Sequence, residues 1–469
     1  MSARWDVVVV GAGPNGLVAA LRLARAGRSV LIVEGAAEPG GGLRTAELLE
    51  PGVRHDICAT VQALVPLSPA LSWLDLNLVA PTVPLAHPFD DGSAVLLHRS
   101  VEETARGLGS DGAAYRGLIA PLVERSGALF SDLLAPLIHV PRHPLLLARF
   151  GVPGLLSAST LGRLAFRGER ARALLAGAAA HSMLSLHEPI TAAFGLVMLI
   201  SAHAGGWPFA RGGSSTLADA LVAALKEAGG EVRCGERVSG LDQLPKSKAV
   251  VLDLVPRDVL AVAGGRLSGH YRRRLEGYRR GPGVFKLDWT LNGPIPWRAA
   301  ECALAGTVHV GGTWQEIARS EDQVTRSRHA ERPFVLLTQP TLFDPSRAPE
   351  GRHVAWAYCH VPNGSREDMT ERIEGQIERF APGFRDLVRA RSAWSPAEME
   401  EHNPNYVGGD INGGRQDVGQ LVARPAWRVN PYTTPDPSLY LCSAATPPGG
   451  GVHGMCGYFA ARSALRALR

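Results

Sequence analysis

Residues 5–10 read WDVVVV, a continuous apolar run of the kind that a parallel strand buried on both faces requires. It leads directly into Gly11-Ala12-Gly13-Pro14-Asn15-Gly16. The next stretch, Leu17 to Ala26, is an apolar, alanine-rich helix pattern closed by Gly27. A second strand pattern spans Arg28 to Glu34, so the first 34 residues specify one βαβ unit. In such a turn the first glycine permits the tight bend. The second lets the backbone approach a pyrophosphate, and the third lets helix and strand pack closely. The helix N-terminus then offers free N–H groups and a partial positive charge to phosphate. Glu34 stands at the offset expected of the acid that binds a ribose 2′-OH, and an acid there disfavours the extra phosphate of NADP. The alternative, a glycine turn in an ordinary α/β protein, leaves the strand–turn–helix–strand–acid order to chance.

A second glycine-rich stretch follows at once. Residues 38–45 read EPGGGLRT, and Gly41, Gly42, Arg44 and Thr45 fall within it. A guanidinium here can hold the same pyrophosphate with bidentate geometry. The alternative is a solvated surface loop, and the position just after Glu34 favours the phosphate.

These two motifs together resemble the FAD fingerprint of the amine oxidase and phytoene desaturase superfamily. Later stretches extend the resemblance over nearly the whole chain: PGVRHDICAT at 51–60, RGGSSTLADAL at 211–221, KLDWTLNGPIPW at 286–297, AGTVHVGG at 305–312, WAYCHVPNGS at 356–365, NPNYVGGDINGG at 403–414 and LYLCSAATPPGGGVHGMCGYFAA at 439–461. They are similar to the phytoene-dehydrogenase-like branch, and within it to bacterial relatives of the pyridine nucleotide-disulfide oxidoreductase domain-containing protein 2 group. The chain departs from what that last name describes. It has no C-x-x-C pair and a single strand-borne GxGxxG. The resemblance implies non-covalent FAD that takes electrons from an organic substrate and passes them to oxygen, a quinone or another acceptor. It also implies that the turn Gly449-Gly450-Gly451-Val452 lays backbone N–H groups against the pyrimidine edge of the flavin, where donors stabilise charge developing on reduction. Family members often carry an acid before this turn for the ribityl chain. Here the neighbourhood is Ser443-Ala-Ala-Thr446, so that contact passes to no acid. Val238, beside a strand similar to one lining adenine, is expected to make a backbone contact.

The remaining sequence sets the frame. The chain has 469 residues, which suits two domains better than one core. Residues 84–204 are rich in Leu and Ala at helical spacing, with breaks at Pro141, Pro144, Pro153 and Pro189, and read as a helical insertion. Alternation in 283–297 and 335–360 predicts antiparallel strands. The expected fold is α/β, a Rossmann-like FAD-binding domain interleaved with an α+β substrate domain. The FAD-binding parts are residues 1–83, 205–262 and 431–469; the substrate parts are 84–204 and 263–430. The strand pattern beginning at Trp5 leaves no room for a signal peptide, and the longest apolar run, around Ala192 to Ala202, is short for a membrane span. Six widely separated cysteines fit a reducing cytoplasm. The net charge of +5 is spread among interleaved acids, with no basic stripe, so no nucleic-acid partner is expected. His453 and Cys456 form a lone H-x-x-C pair, too few ligands for a structural zinc.

Flavin oxidation needs the substrate C–H held over N5 in a dry site more than it needs acid–base groups. Lys286 lies in a strand pattern that puts it on one face with Val284 and Asp288, opposite Phe285, Leu287 and Trp289. It resembles the amine-oxidase lysine that holds a water near N5; a pairing with Asp288 is the structural alternative. His453, inside the flavin-facing turn, is the second catalytic candidate. His55 reads either as a site residue near the flavin or as a satisfied structural histidine. His181, His187 and His203 read as core or surface residues, and Tyr406 and Asp410 are candidate caps of the cavity. The residues 142–150, RHPLLLARF, mix apolar and basic groups and offer a peripheral membrane contact as an alternative to an ordinary surface. The leading expectation is a dehydrogenase, desaturase or oxidase acting on an apolar, isoprenoid- or carotenoid-like substrate. The alternatives are an amine oxidase with Tyr458 and Phe459 near an aromatic cage, a reduced-flavin polyene isomerase, and a partner-binding flavoprotein without catalysis.

Overall fold

The computed structural model describes residues 5–469; residues 1–4 of the first predicted segment lie outside the described residues. The fold is α/β, organised around two sheets. The first has five parallel strands in the order Leu439–Leu441, Ser247–Leu252, Trp5–Val10, Val30–Val33 and Glu231–Arg233. Trp5–Val10 is its middle strand, and Val7, Val8 and Val9 have no exposed surface. That position accounts for the uninterrupted valine run, because both faces are covered. From this strand the chain goes to Val30–Val33 on one side and reaches Ser247–Leu252 on the other. A crevice opens where the connections diverge, beyond the carboxyl ends of the strands.

The helix Pro14–Arg25 begins in that crevice, with a proline at its first position, where no N–H is needed. Gly16 packs so closely on the turn that a Cβ would stand 2.1 Å from the Gly11 carbonyl oxygen. The C-terminal helix Met455–Ala467 crosses the same helix through Gly457, whose Cβ would stand 1.9 Å from the Asn15 carbonyl oxygen. Two ends of the chain are thereby fixed against one turn.

The second sheet has seven strands in the order Val388–Trp394, Gly283–Leu291, His353–Val361, Val335–Thr338, Ala305–Val310, Val83–Pro88 and Ala94–Leu97. All neighbours are antiparallel except Ala305–Val310 with Val83–Pro88. Phe285, Leu287 and Trp289 face the helix Thr370–Phe380 and pack with Ile373, Ile377 and Phe380. The alternate residues face the other way, as the period of two dictates. Helices between Val101 and Gly205 cover that second face, with Thr191–Gly205 as their buried apolar member. The helical segment thus starts at Val101. The expected start at 84 was too early, because Val83–Pro88 and Ala94–Leu97 are an antiparallel pair belonging to the mixed sheet. Val83–Pro88 is buried at every position, so it lacks the alternation that marks a half-exposed strand.

No single helix among the described residues is long and apolar enough to cross a membrane. The close helix crossing gives a test of the fold. Gly457→Ala gains helix propensity, about 1 kcal/mol, yet its methyl group has no room. The expected net loss is about 1–3 kcal/mol, read as a lower urea midpoint at unchanged m value.

Candidate functional site

One cavity of about 890 Å³ runs from the crevice of the parallel sheet to the inner face of the mixed sheet. At its first end lie Gly11, Gly13, Pro14, Asn15, Glu34, Gly41, Gly42 and Arg44. The glycines there answer to distances. Gly11 has φ +100°, and a Cβ would stand 3.1 Å from Asp253. A Cβ on Gly13 would stand 2.8 Å from Asp253 Oδ2, and one on Gly41 3.1 Å from Gly13 Cα. Gly16 itself does not line the cavity; it packs helix on strand, as its place in the motif predicts. Asn15 Oδ1 is buried and has no hydrogen-bond partner among the described residues.

Glu34 is held in place before any ligand is considered. Its Oε2 accepts from Ala12 N at 2.6 Å, its Oε1 accepts from Ala36 N at 2.8 Å, and Arg44 lies 3.5 Å away. Arg44 also donates to the His402 carbonyl, so the two charges form one rim of the cavity. A carboxylate has further lone pairs, and this one keeps acceptor capacity for ribose hydroxyls. Val238 lies on the same wall. Thr45 does not, and its expected place at the cofactor is corrected. Its hydroxyl donates to Asp56 at 2.7 Å and accepts from Ser215 N, on the far side of the short strand Thr45–Ala46.

Asp253 is a site residue that motif reading missed. It follows the strand Ser247–Leu252 and lies across the crevice from the glycine turn, with Oδ2 accepting from Gly16 N at 2.9 Å. Burial raises its carboxyl to about 7; the Gly16 N–H opposes that shift and Glu34 adds to it. The side chain is 237 residues from its partner, and only the parallel register brings the two together.

At the C-terminal turn, Ser443, Gly450, Gly451, Val452 and His453 all line the cavity. Ser443 Oγ donates to the Leu254 carbonyl, which ties this segment to the Asp253 loop. The His453 ring is engaged on both sides. Nδ1 accepts from Met455 N at 3.0 Å and Nε2 contacts Gly449 O at 3.2 Å. Burial holds its pKa down to about 4. A neutral ring with both nitrogens in use braces the turn, and this geometry leaves it no free nitrogen for proton transfer.

Lys286 lies one layer beneath the cavity wall. Its ammonium pairs with the Asp288 carboxylate and sits 5.4 Å from the Trp356 ring centroid and 5.9 Å from that of Trp394. Trp356 and Tyr358, stacked at 5.6 Å, form the wall in front of it. His55 lies 3.7 Å from Asp288, and neither ring nitrogen has a hydrogen-bond partner among the described residues. The expectation of a satisfied His55 is corrected accordingly. Tyr406 lines the cavity beside Gly42 and Cys58, whereas Asp410 accepts from Gly281 N and Asn412 N and shapes its own loop. Tyr458 and Phe459 do not line the cavity: Arg22 covers the Tyr458 ring at 3.8 Å, and Phe459 stacks on Tyr432. His181 does line it, a half-buried residue whose ring pKa is lowered to about 3 by desolvation, with Nε2 3.2 Å from His309 Nε2.

Comparison with known proteins agrees with this geometry. Residues 9–72 match the model of the NAD(P)-binding Rossmann-like domain. The mouse protein named pyridine nucleotide-disulfide oxidoreductase domain-containing protein 2 is 24% identical over all of this chain and 94% of its own. The phytoene dehydrogenase of Streptomyces griseus is 29% identical over 82% of this chain and 77% of its own. The fold matches the crystal structure of a putrescine oxidase triple mutant with a TM-score of 0.63, at 17% identity and over 99% of this chain and 98% of that one. Fold, cradle and likenesses together define an FAD-binding oxidoreductase. The chain fits the amine oxidase/phytoene dehydrogenase superfamily.

The acid in the cradle has a measurable consequence. Asp253 is neutral below about pH 7 and adds a negative charge beside the phosphate position above it. The Kd for FAD is therefore expected to rise above pH 7, by up to about tenfold per pH unit for a single linked proton. Asp253→Asn keeps an acceptor for Gly16 N and should abolish that slope. An equal slope in both proteins, measured by fluorescence titration of the apoprotein, would assign it to another group.

Proposed function

We propose that the chain oxidises an apolar, isoprenoid- or carotenoid-like substrate by removing a hydride from it. When bound, FAD supplies the hydride acceptor. The observation that carries this reading is the distribution of charge along the cavity. Every acid that lines it, Glu34, Glu236, Asp253, Asp258 and Glu401, belongs to segments around the glycine turn and its rim. The far chamber is built from Phe130, Phe150, Phe194, Met198, Trp207 and Leu336. An ammonium substrate would lose its hydration there with no carboxylate to compensate, at a cost of several kcal/mol. An apolar chain meets no such penalty, and a chamber of this kind excludes the water that would compete at a reacting C–H. The amine reading is therefore the weaker one. Oxygen or a quinone is the proposed final acceptor.

The way in supports the same substrate class. Leu137 both lines the cavity and is 56% exposed, so the chamber reaches the surface there. Ile138, Val140, Leu145, Val152, Leu155 and Leu164 are exposed around it in sequence, on and before two short helices set at 97°. From residue 133 to 168 the chain has four arginines and no acid. An apolar surface fringed with arginine fits an anionic membrane face.

Two measurements test the reading. Anaerobic addition of polyenes or terpenoids should bleach the oxidised flavin bands, while amines should not. Bleaching by amines alone would overturn the substrate class, and turnover only after prereduction would replace oxidation with isomerisation. In sedimentation with phosphatidylglycerol vesicles, Val140→Asp/Leu145→Asp should lose most of the wild-type binding while keeping its FAD. Equal sedimentation of both proteins would remove the membrane from the proposal.

A further inference from the structure

Only two arginines among the described residues are fully buried, and their surroundings differ. Arg347 pairs with Asp56 and Asp344, so its charge is matched. Arg424, with 1% of its surface exposed, has no carboxylate within 4.0 Å among the described residues. Its NH2 group donates to three carbonyls, Ala444 O at 2.9 Å, Gly413 O at 3.1 Å and Asn412 O at 3.4 Å. These hold the group in place without neutralising it. The Tyr278 hydroxyl is close to the guanidinium and donates to Gly413 O. The nearest acid to act on it, Asp410, is itself pushed towards the neutral form by burial. Nε and NH1 have no partner among the described residues, and Arg424 lines the cavity. NH1 lies under the C-terminal turn, 3.1 Å from where a Cβ of Gly449 would stand. A guanidinium stays protonated at any working pH. Burying one unmatched is among the costliest arrangements a fold can hold, and donors facing a cavity imply a negative group inside it.

The shape of the cavity says which part of FAD that is. With Glu34 holding the adenosine end and the glycine turn the pyrophosphate, the isoalloxazine would extend towards Gly450–Val452 and Arg424, which line the same cavity. The oxidised ring is neutral. On gaining a hydride, two electrons and one proton, it carries one negative charge delocalised over N1 and the C2 carbonyl. We infer that Arg424 is the fixed counter-charge for the reduced flavin ring, a positioning-independent electrostatic group that raises the reduction potential and so favours hydride acceptance from an unactivated C–H. Preorganised charge of this kind costs no reorganisation when the electrons arrive. The sequence hid it: Arg424 lies in ARPAW at 423–427, outside every glycine motif.

Sulfite tests this without a substrate. It forms an S–N5 bond by donating its electron pair to the ring, and the adduct carries the same negative charge at N1 and the C2 carbonyl. The holoproteins of wild type, Arg424→Gln and Arg424→Lys are titrated with sulfite, and their midpoint potentials are measured against reference dyes. For Arg424→Gln we expect sulfite affinity about tenfold weaker or more. By the two-electron conversion of 29.6 mV per tenfold, the potential should then be lower by about 30 mV. Arg424→Lys, which keeps the charge on a less branched group, should stay within about threefold of wild type. Sulfite affinity and potential unchanged in Arg424→Gln with FAD bound would overturn the inference. So would equal losses in Gln and Lys, since shape and not charge would then matter. The inference rests on the cofactor assignment: a folded wild type that took up no FAD would overturn both, whereas an unresponsive holoprotein overturns this inference alone.

Discussion

The structure depends on one close approach, that of the N-terminus of helix Pro14–Arg25 to the carboxyl ends of two neighbouring strands. Gly11, Gly13 and Gly16 let the turn lie against Asp253, and Gly457 lets the C-terminal helix lie against Asn15. Those contacts bring together residues near 10, near 250 and near 455. Each would be closed off by a single Cβ. The cavity follows from this: its cradle is the crevice between strands whose connections diverge, and its far wall is the mixed sheet that the intervening chain builds. Helix termini seek anions, and here the free N–H groups are partly answered by a protein carboxyl at Asp253. A carboxyl held near neutrality can occupy that position without repelling phosphate outright, which is why its burial matters.

Some of this was legible in the sequence because it is written in the backbone. Glycines that need positive φ or a missing Cβ identify themselves, and the order of strand, turn, helix, strand and acid is local. The alternation around Lys286 also gave its face correctly: Val284, Lys286 and Asp288 point one way, and Phe285, Leu287 and Trp289 pack the other. What the alternation does not give is depth. Tyr358 is the register partner of Lys286, and Trp356 the partner of Asp288. These rings stand between the ion pair and the chamber, and ring size is not visible in a period of two. Likewise Tyr458 and Phe459 are near the flavin-facing turn in sequence, yet the helix that follows turns them onto Arg22 and Tyr432.

Asp253 and Arg424 were illegible for a different reason. Neither belongs to a repeated or glycine-rich pattern, and each acquires its meaning from partners far away along the chain. Asp253 acts on Gly16 through the register of two parallel strands. Arg424 acts at a turn some 25 residues later, beneath a glycine whose own sequence context names only the backbone. Long-range electrostatic partners of this kind leave no local spacing for a reader to detect, whereas their lack of a matching charge becomes plain once burial is known.

The two groups also give the cavity a direction that owes nothing to resemblance. Its acids gather around the glycine turn and its rim, and the end where Glu34 is clamped by Ala12 N and Ala36 N suits hydroxyls and a neutral base. Next come Arg44 and the helix N-terminus, suited to a doubly charged pyrophosphate. Beyond these the unmatched guanidinium of Arg424 faces a segment with no acid, and past it the walls are apolar. FAD laid along this gradient would put its sugar hydroxyls first, its phosphates second and its ring third, and the proposed apolar substrate would lie beyond. The order of charges in the walls therefore matches the order of groups in the dinucleotide. A ring placed there would meet a fixed positive charge and a dry chamber together, and a low-dielectric site makes that charge count for more than it would in water.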